Sequence, residues 1–410
     1  MKRRRFLRQS AAALVATSIP GWLHAQAVRD SGISMPSNEA AYDTLRYPGP
    51  GQMRPGQPVP TLELPGPAIT LAVGGDTTLA YNLQNHFDEQ IALGKSKDEL
   101  LPIYFAGIRP IMDAADLAVV NLECALTERG KKVTKNFNFR GRPELVGILN
   151  HGSVDVVSCA NNHARDYGDT GIKDTLKTLD QAGIAHFGAG KNLKEARKPL
   201  ILERNGMKIG FLGYYFQIGE DMFEPPDVYA TARRAGPAGV FTNRDAFRAM
   251  VEEDVQELVP QVDFAVPYFH WGKEGTVEIR PYQIDLAHRC IDLGCKAVLG
   301  AHPHRLQGVE VYQGAPIFYS LGNFVYGGIK EPKDPLSAIA RLRFTRTGVN
   351  ADLVPIQITR WPDAPFQPFV LADAAREDAL REIARRSATL ATALPQLQPY
   401  LADQQLVPDR

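Results

Sequence analysis

The chain has 410 residues with 46 basic and 46 acidic side chains, so its formal net charge is zero. A protein without a basic excess gains no global attraction to nucleic acid, and we expect no nucleic-acid partner. Its four cysteines, Cys124, Cys159, Cys290 and Cys295, form no C-x-x-C pair, which argues against a zinc ribbon or a thioredoxin-like motif. Cys290 and Cys295 flank the end of a predicted helix, and whether they pair is left open.

The first 27 residues are typical of an export signal. A twin arginine within MKRRRFLR precedes a modestly apolar stretch, residues 11–19, and small residues then occupy an A-x-A site at residues 25–27. Removing residues 1–27 takes away five basic and no acidic side chains and leaves a net charge of about −5. No later run approaches 18 uninterrupted apolar residues. We therefore predict export by the twin-arginine route to the periplasm or cell envelope, as a soluble chain without a transmembrane segment.

The segment that follows the export signal is rich in proline and glycine. Residues 28–68 therefore predict an extended lead-in without a core of its own. From residue 69 onward, short apolar runs alternate with helical periods, which predicts a layered α/β domain over residues 69–365. The predicted strands cover residues 69–73, 117–120, 154–158, 209–213, 264–267 and 297–299. The predicted helices cover residues 105–115, 143–149, 170–182, 244–258 and 282–293.

Turn signals and the last part of the chain complete this organisation. Asn205-Gly206 and Gln313-Gly314 each stand between two apolar runs and predict hairpins. Residues 339–344 and 351–359 alternate apolar with polar side chains, which predicts a closing hairpin. Residues 366–410 carry helical spacing and predict a C-terminal helical extension.

Metal-ligand side chains stand at the ends of several predicted strands. They are Asp76, Glu123, Asn162, His270, His302 and His304. Carboxylates and imidazoles suit Mn, Fe or Zn, and two such ions about 3.5–4 Å apart can hold both the attacking and the leaving oxygen of a displacement. Ligands of layered α/β sheets bind beyond the carboxyl ends of the strands, where these residues fall. We therefore expect one or two divalent transition-metal ions.

Local sequence indicates how some of these ligands are presented. Asp76 follows two glycines, which we expect to let the backbone come close to a metal. Glu123 is the best candidate to bridge two ions, because each carboxylate oxygen can bind one. His302 and His304 are two apart on a segment that we expect to be extended, so that both rings face one site.

Other residues near these ligands are candidates for catalysis and binding. His163 follows Asn162 directly and suits a general acid that protonates the leaving oxygen, oriented by Asp166. Arg140 and Asn121 are the candidates for binding substrate. For Arg140, a solvated surface arginine is an equal alternative.

Six motifs in this order resemble those of the bacterial capsule synthesis family CapA, which is linked to poly-γ-glutamate: Gly75-Asp76, Asn121-Leu-Glu123, Ala160-Asn-Asn-His163, His270-Trp-Gly272, Gly300-Ala-His-Pro-His304 and Tyr319-Ser-Leu-Gly-Asn-Phe324. The likeness covers roughly residues 69–327. It implies a branch of the calcineurin-like metallophosphoesterases with a four-layered α/β/β/α sandwich. By this resemblance, one ion takes Asp76, Glu123 and His304, and the other takes Glu123, Asn162, His270 and His302, with His163 as the acid.

The sequence departs from the phosphoesterase pattern at four positions. Thr78 stands where a histidine ligand is expected, Glu123 replaces the bridging aspartate, and Asn161 and Ala301 replace glycines. The first ion therefore has fewer protein ligands, and phosphate-ester chemistry does not follow from the resemblance alone.

Three functions remain open at this point. The leading hypothesis is a metal-dependent hydrolase of capsule or poly-γ-glutamate biosynthesis, which activates water on a mono- or dinuclear centre and cleaves a phosphoester or a γ-glutamyl amide. Its substrate would be an anionic polymer or a phosphoester. The second is a non-catalytic accessory subunit of a polymer synthesis or export complex with membrane-bound synthase components. The third is metal-assisted proton abstraction from an amino-acid Cα.

Overall fold

The computed structural model describes residues 66–218, 221, 225–240, 243–390 and 392–404. The predicted export signal, residues 1–27, and residues 28–65 of the predicted lead-in lie outside the described residues. Within the described ranges, no helix is long and apolar enough to cross a membrane.

Strands and helices alternate along most of the chain. The strands are β1 (Ile69–Thr78), β2 (Leu117–Leu122), β3 (Ala125–Leu126), β4 (Arg140–Gly141), β5 (Val156–Ser158), β6 (Ala185–Phe187), β7 (Ala189–Gly190), β8 (Leu200–Arg204), β9 (Met207–Tyr215), β10 (Gly236–Pro237), β11 (Phe264–His270), β12 (Val298–Ala301), β13 (Val309–Tyr312), β14 (Ala315–Phe318), β15 (Asn323–Tyr326), β16 (Leu336–Thr345), β17 (Gly348–Gln357) and β18 (Phe369–Val370). The α-helices are α1 (Asn82–Ala92), α2 (Lys97–Leu100), α3 (Arg109–Ala114), α4 (Val146–His151), α5 (Gly168–Ala182), α6 (Leu193–Ala196), α7 (Arg244–Leu258), α8 (Pro281–Asp292), α9 (Asp373–Ser387) and α10 (Gln398–Gln404). Short 3₁₀ turns cover Ile103–Phe105, Pro143–Leu145, Pro226–Val228, Val259–Gln261 and Pro395–Leu397.

Two large sheets organise these elements. The first has the order β18-β17-β16-β1-β2-β5-β6, with β15 also paired to β1. The second has the order β13-β14-β12-β11-β9-β8. Strands β1, β2, β5 and β6 run parallel in the first sheet, as do β9, β11, β12 and β14 in the second. The carboxyl ends of several strands therefore lie along one edge of each sheet.

Three apolar clusters separate four layers. In β1, Leu71 and Val73 face the core between the two sheets, whereas Ala72 belongs to the cluster that includes α1 and α5 residues. This alternation follows from the period of two along a strand. On the far side of the second sheet, Leu212 and Phe269 belong to a cluster with residues of α7 and α8. The predicted α/β/β/α arrangement is confirmed.

Most predicted elements are confirmed; several strands are longer than the apolar runs indicated, whereas β5 begins at Val156 rather than at residue 154. The Asn205-Gly206 hairpin joins β8 to β9, and both turn residues have positive φ, 53° and 73°. The Gln313-Gly314 hairpin joins β13 to β14. The closing hairpin is β16–β17, where Thr345 pairs with Gly348.

Two predicted helices are each divided in the structure. Residues 143–149 fall in a 3₁₀ turn, Pro143–Leu145, and in α4. The predicted helix over residues 105–115 is divided into a 3₁₀ turn, Ile103–Phe105, and α3. Pro110 stands in the first turn of α3 and cannot occupy a helix interior, because it lacks an N–H. Cys290 and Cys295, whose pairing was left open, are buried free thiols here.

The C-terminal segment packs against the large sheets. β18 pairs with β17 at the end of the first sheet. In α9, Leu380 and Ile383 are buried in the core between the sheets. The segment beyond residue 366 is therefore in contact with the main core.

Candidate metal centre

The predicted ligands come together where strands of both sheets end. In the first sheet, Asp76 near the end of β1 is in register with Asn121 of β2 and with Asn323 of β15. In the second sheet, His270 is the last residue of β11 and is in register with Ala301, the last residue of β12. The loops after β2, β5 and β12 then supply the remaining ligands.

The first ligand group consists of Glu123, His270 and His302, all fully buried. His270 Nε2 lies 2.9 Å from His302 Nδ1 and 3.3 Å from Glu123 Oε1. Asn162 joins the group, with its Oδ1 atom 2.8 Å from His270 Nε2. Two ligands about 2.1 Å from one ion and at right angles lie about 3.0 Å apart, so these separations fit a common ion.

The second ligand group consists of Asp76, Glu123 and His304. His304 Nδ1 lies 3.2 Å from Asp76 Oδ2, and His304 Nε2 lies 3.8 Å from Glu123 Oε1. The His304 side chain retains 16% exposure, whereas both carboxylates are fully buried. Glu123 is thus common to both groups, which is the position of a bridging carboxylate.

Glu123 provides the test of whether this donor set fits a metal. Both of its carboxylate oxygens are buried and have no hydrogen-bond partner among the described residues. Burial, followed by the neighbouring Asp76 charge, raises the pKa of Glu123 well above its ordinary value. Since a buried carboxylate without hydrogen bonds is costly unless it is paired or coordinates a metal, the arrangement fits divalent cations.

Burial and neighbouring groups also shift the pKa values of the three candidate ligand histidines. Burial, with the neighbouring imidazoles next, lowers the pKa of His270 and of His302 well below the usual range. Burial also acts to lower the pKa of His304, but the Glu123 and Asp76 carboxylates outweigh it and raise the value to about 10. A bound cation would replace the proton that these carboxylates hold on His304.

The segment carrying His302 and His304 is not extended, and this expectation was wrong. Both residues have positive φ, 99° and 54°. The His302 backbone N–H donates to Asp76 Oδ2 at 3.2 Å, and Gly275 N–H donates to the Pro303 carbonyl at 2.8 Å. These bonds hold a sharp turn, and the turn brings both rings to the centre.

The two glycines before Asp76 make room for neighbouring residues of the first sheet. A Cβ on Gly75 would lie 1.9 Å from the Gly322 carbonyl oxygen, and one on Gly74 would lie 2.6 Å from the Phe324 ring of β15. Asp76 N–H donates to that same Gly322 carbonyl at 2.9 Å. That the glycines also let the backbone come close to a metal stays a prediction.

His163 and Asp166 form a hydrogen-bonded pair, as the sequence indicated. His163 Nδ1 lies 2.7 Å from Asp166 Oδ2, and the other carboxylate oxygen, Oδ1, is paired with Lys135 Nζ at 2.7 Å. Lys135 also donates to the Asn162 carbonyl at 2.8 Å. Phe139 stacks on the His163 ring, with centroids 4.1 Å apart. Burial, followed by the Lys135 charge, lowers the pKa of His163.

The two residues predicted to bind substrate have different surroundings. Asn121 is fully buried; its amide nitrogen donates to Asp76 Oδ1 at 2.8 Å, and its Oδ1 accepts from Asn161 at 3.1 Å. Arg140 is exposed, with its guanidinium 4.5 Å from the centroid of the Tyr167 ring. Substrate contact stays a prediction for both.

Three residues around the centre were not assigned a role from sequence. They are Lys135, Gln217 and Asn323. Asn323 Oδ1 lies 2.9 Å from His304 Nδ1, and Gln217 Nε2 lies 2.6 Å from His302 Nε2. Asn323 stands inside the quoted motif Tyr319-Ser-Leu-Gly-Asn-Phe324, which was the available signal. Lys135 and Gln217 carry no comparable motif.

Comparisons with known proteins agree with the resemblance. The sequence model of the bacterial capsule synthesis protein PGA_cap family matches residues 70–327. The chain is 30% identical over 285 residues to the capsule biosynthesis protein CapA of Bacillus anthracis, covering 67% of each chain. It is 30% identical over 260 residues, 60% of this chain and 67% of the other, to a Mycobacterium tuberculosis (strain CDC 1551 / Oshkosh) protein named "Probable polyglutamine synthesis accessory protein". A solved phosphatase structure from Mycoplasma pneumoniae aligns over 76% of this chain and 96% of its own, at 14% identity and a TM-score of 0.40.

Proposed function

The chain belongs to the bacterial capsule synthesis protein family, and on that premise we propose that it is an exported, metal-dependent hydrolase of capsule or poly-γ-glutamate biosynthesis. The bond cleaved is a phosphoester or a γ-glutamyl amide, and the substrate is a phosphoester or an anionic polymer. Export by the twin-arginine route would deliver the folded protein to the cell envelope.

One observation carries this proposal. The buried Glu123 carboxylate, which has no hydrogen-bond partner within the part of the chain that the structure describes, lies between one ligand group with Asp76 and His304 and another with His270 and His302. A purely structural carboxylate at such a position would be expected to have donors around it. The bare oxygens support a role in holding one or two divalent ions, of which Mn, Fe and Zn suit this mixture of oxygen and nitrogen donors.

The ligand residues and the His163–Asp166 pair have different roles in the proposed reaction. Ions held by these ligands would supply Lewis acidity and a nucleophilic hydroxide at neutral pH. Asp166 accepts the Nδ1 hydrogen of His163 and so orients the ring. The Nε2 atom of the protonated ring is then free to give its hydrogen to the leaving oxygen or nitrogen. Burial, followed by the Lys135 charge, lowers the pKa of His163, which makes the protonated ring a stronger acid and reduces the fraction of the ring that is protonated at neutral pH.

The test combines metal content with hydrolysis. The protein would be purified after native export, its transition metals counted by mass spectrometry, and its activity measured on an aryl phosphomonoester, an aryl phosphodiester and a γ-glutamyl anilide. Glu123→Gln keeps the shape of the side chain but removes its charge, and we expect it to lose metal and activity together. His163→Asn should keep the metal and lose about 10²–10⁴-fold in rate. His186→Ala removes a histidine that contacts the Asp180 side chain, and it should match wild type.

The metal content and the hydrolysis rates together distinguish a catalytic role from a non-catalytic one. Two ions per chain with turnover of one of the substrates, both lost in Glu123→Gln, is the expected result. A protein without stoichiometric metal contradicts the catalytic assignment. Full metal content with no turnover of any substrate, and no effect of His163→Asn on polymer production by cells, would also contradict it.

The second candidate is an accessory subunit of a polymer synthesis or export complex. It is favoured by the name of the Mycobacterium tuberculosis relative. In that role the ions hold the fold or bind an anionic polymer, and the partners are membrane-bound synthase components. It predicts that Glu123→Gln abolishes polymer production, whereas His163→Asn, with its metal retained, leaves it intact.

A further inference from the structure

Each imidazole of the candidate centre contacts a side-chain carboxamide. His270 Nδ1 lies 3.2 Å from Asn121 Nδ2, His304 Nδ1 lies 2.9 Å from Asn323 Oδ1, and His302 Nε2 lies 2.6 Å from Gln217 Nε2. Residues that bond the second nitrogen of a ligand histidine decide which nitrogen is left to bind metal. Carboxamides fill that position at all three rings.

His302 has the most sharply defined geometry of the three. Its Nδ1 atom faces the ligand group, 2.9 Å from His270 Nε2, while its Nε2 atom faces Gln217 on the opposite side of the ring. If His302 binds an ion through Nδ1, its single ring hydrogen must be on Nε2. The group that faces Nε2 must then accept a hydrogen bond.

Gln217 is held so that it can meet this requirement. It is fully buried two residues after the end of β9, and its Oε1 atom accepts from the Tyr215 hydroxyl at 2.7 Å. The Tyr215 ring stacks on Tyr229, with centroids 4.9 Å apart. Because a tyrosine hydroxyl both donates and accepts, the Gln217 amide can turn by 180° and keep its bond to Tyr215.

We propose that Gln217 is a positioning residue that selects the His302 tautomer with hydrogen on Nε2 and a free Nδ1 lone pair for the metal. With the amide oxygen toward His302, Gln217 accepts the Nε2 hydrogen and donates its own N–H to Tyr215. With the amide nitrogen toward His302, as in this structure, Nε2 accepts and the ring hydrogen lies on Nδ1. Metal binding through Nδ1 therefore requires the other orientation of the Gln217 amide.

This inference rests on the metal centre proposed above but not on hydrolysis, and it is tested by metal affinity. Zn²⁺ and Co²⁺ would be titrated into metal-free wild type and three variants, with a chelator as competitor. Gln217→Met removes the acceptor at similar volume and should weaken binding by about 10–100-fold. Gln217→Glu can only accept and should bind at least as tightly as wild type. Gln283→Met removes another fully buried amide, one whose Oε1 accepts from the Arg280 backbone, and should leave affinity unchanged.

A second measurement uses the wild-type protein and needs no variant. In the Zn²⁺-bound form labelled with ¹⁵N-histidine, long-range ¹H–¹⁵N correlation spectra should show His302 with hydrogen on Nε2 and metal on Nδ1. The visible spectrum of the Co²⁺ form should change in Gln217→Met and recover in Gln217→Glu, which a loss of packing alone would not produce.

Three results overturn the inference. They are ligation of His302 through Nε2, Zn²⁺ affinity of Gln217→Met within about twofold of wild type, and an equal loss of affinity in Gln217→Met and Gln283→Met. Failure of the proposed function is distinguishable, because it would appear as wild-type protein that binds the ions and hydrolyses none of the substrates.

Discussion

Replacing Asp166 by asparagine tests the buried ion pair behind His163. Asp166 Oδ1 pairs with Lys135 Nζ at 2.7 Å, and the two side chains are 0% and 1% exposed. Asp166 Oδ2 is bonded to His163 and also accepts from the Phe139 backbone N–H. The substitution keeps the size of the side chain but removes the carboxylate charge that faces the buried Lys135 ammonium.

The expected loss of stability is large because neither side chain of the pair is in contact with solvent. Removing one member of a buried ion pair costs about 3–5 kcal/mol. Unfolding entropy of about 2.1 cal/mol/K per residue, over the roughly 330 described residues, gives about 0.7 kcal/mol/K. We therefore expect Asp166→Asn to lower Tm by about 4–7 °C, and Lys135→Met to lower it by a comparable amount.

Differential scanning calorimetry on both single variants and on the double variant measures the coupling. The double variant should lose clearly less stability than the sum of the two single losses, because both single variants break the same ion pair. His186→Ala is the matched control and should stay within about 0.5 kcal/mol of wild type. A Tm shift below about 2 °C for Asp166→Asn, or strictly additive losses, would refute the reasoning.

The remaining predictions concern the approach of β15 and the proton dependence of the centre. Gly75→Ala places a Cβ 1.9 Å from the Gly322 carbonyl oxygen and should greatly reduce the yield of folded protein, whereas a Cβ on Gly348 meets nothing within 4 Å, and Gly348→Ala should be neutral in thermal melts. Equal behaviour of these two variants would contradict the packing argument. Metal affinity should fall as pH falls, because Glu123 and His304 both have raised pKa values, about 10 for His304, and must lose a proton to bind. Calorimetric titrations in buffers of different ionisation enthalpy should detect protons released on binding, and an affinity constant from about pH 6 to 8 would count against the assignment.

The sequence located the strands well but underestimated the length of several of them. Residues 209–213 predicted a strand, and β9 runs over Met207–Tyr215. The apolar run marks where both faces of a strand are buried, but backbone pairing continues beyond it. β9 continues because its neighbour β11 remains in register up to His270, opposite Tyr215. Such extensions depend on a partner that lies about fifty residues away and are invisible to local patterns.

The candidate ligand residues were predictable because each stands at or shortly after the end of a strand, whereas the backbone that presents them was not. A spacing of two suggested an extended His302–Pro303–His304 segment, and the structure has a turn with positive φ at both histidines. That turn is stabilised by bonds to Asp76 and Gly275, which are distant in the chain. Tertiary contacts overrode the local expectation.

The residues that contact Asp166 and His302 were the hardest to predict from the sequence. Lys135 and Gln217 lie in irregular segments without periodicity, and neither belongs to a metal-ligand type. Their importance comes from burial, which turns one ammonium and one amide into specific bonding partners of Asp166 and His302. Only the folded arrangement assigns them.

The two ligand groups are unequal, and the inequality has a structural cause. The group with His302 gains Asn162 as a fourth donor, whereas the group with His304 has three. Thr78 occupies the position where the resemblance implies another histidine, and its hydroxyl donates to the Glu123 carbonyl at 3.1 Å. Thr78 thus holds the backbone of Glu123, the residue common to both groups. Since fewer protein donors leave more coordination positions for water and substrate, the proposed function implies that an ion at the His304 group would exchange more readily than an ion at the His302 group.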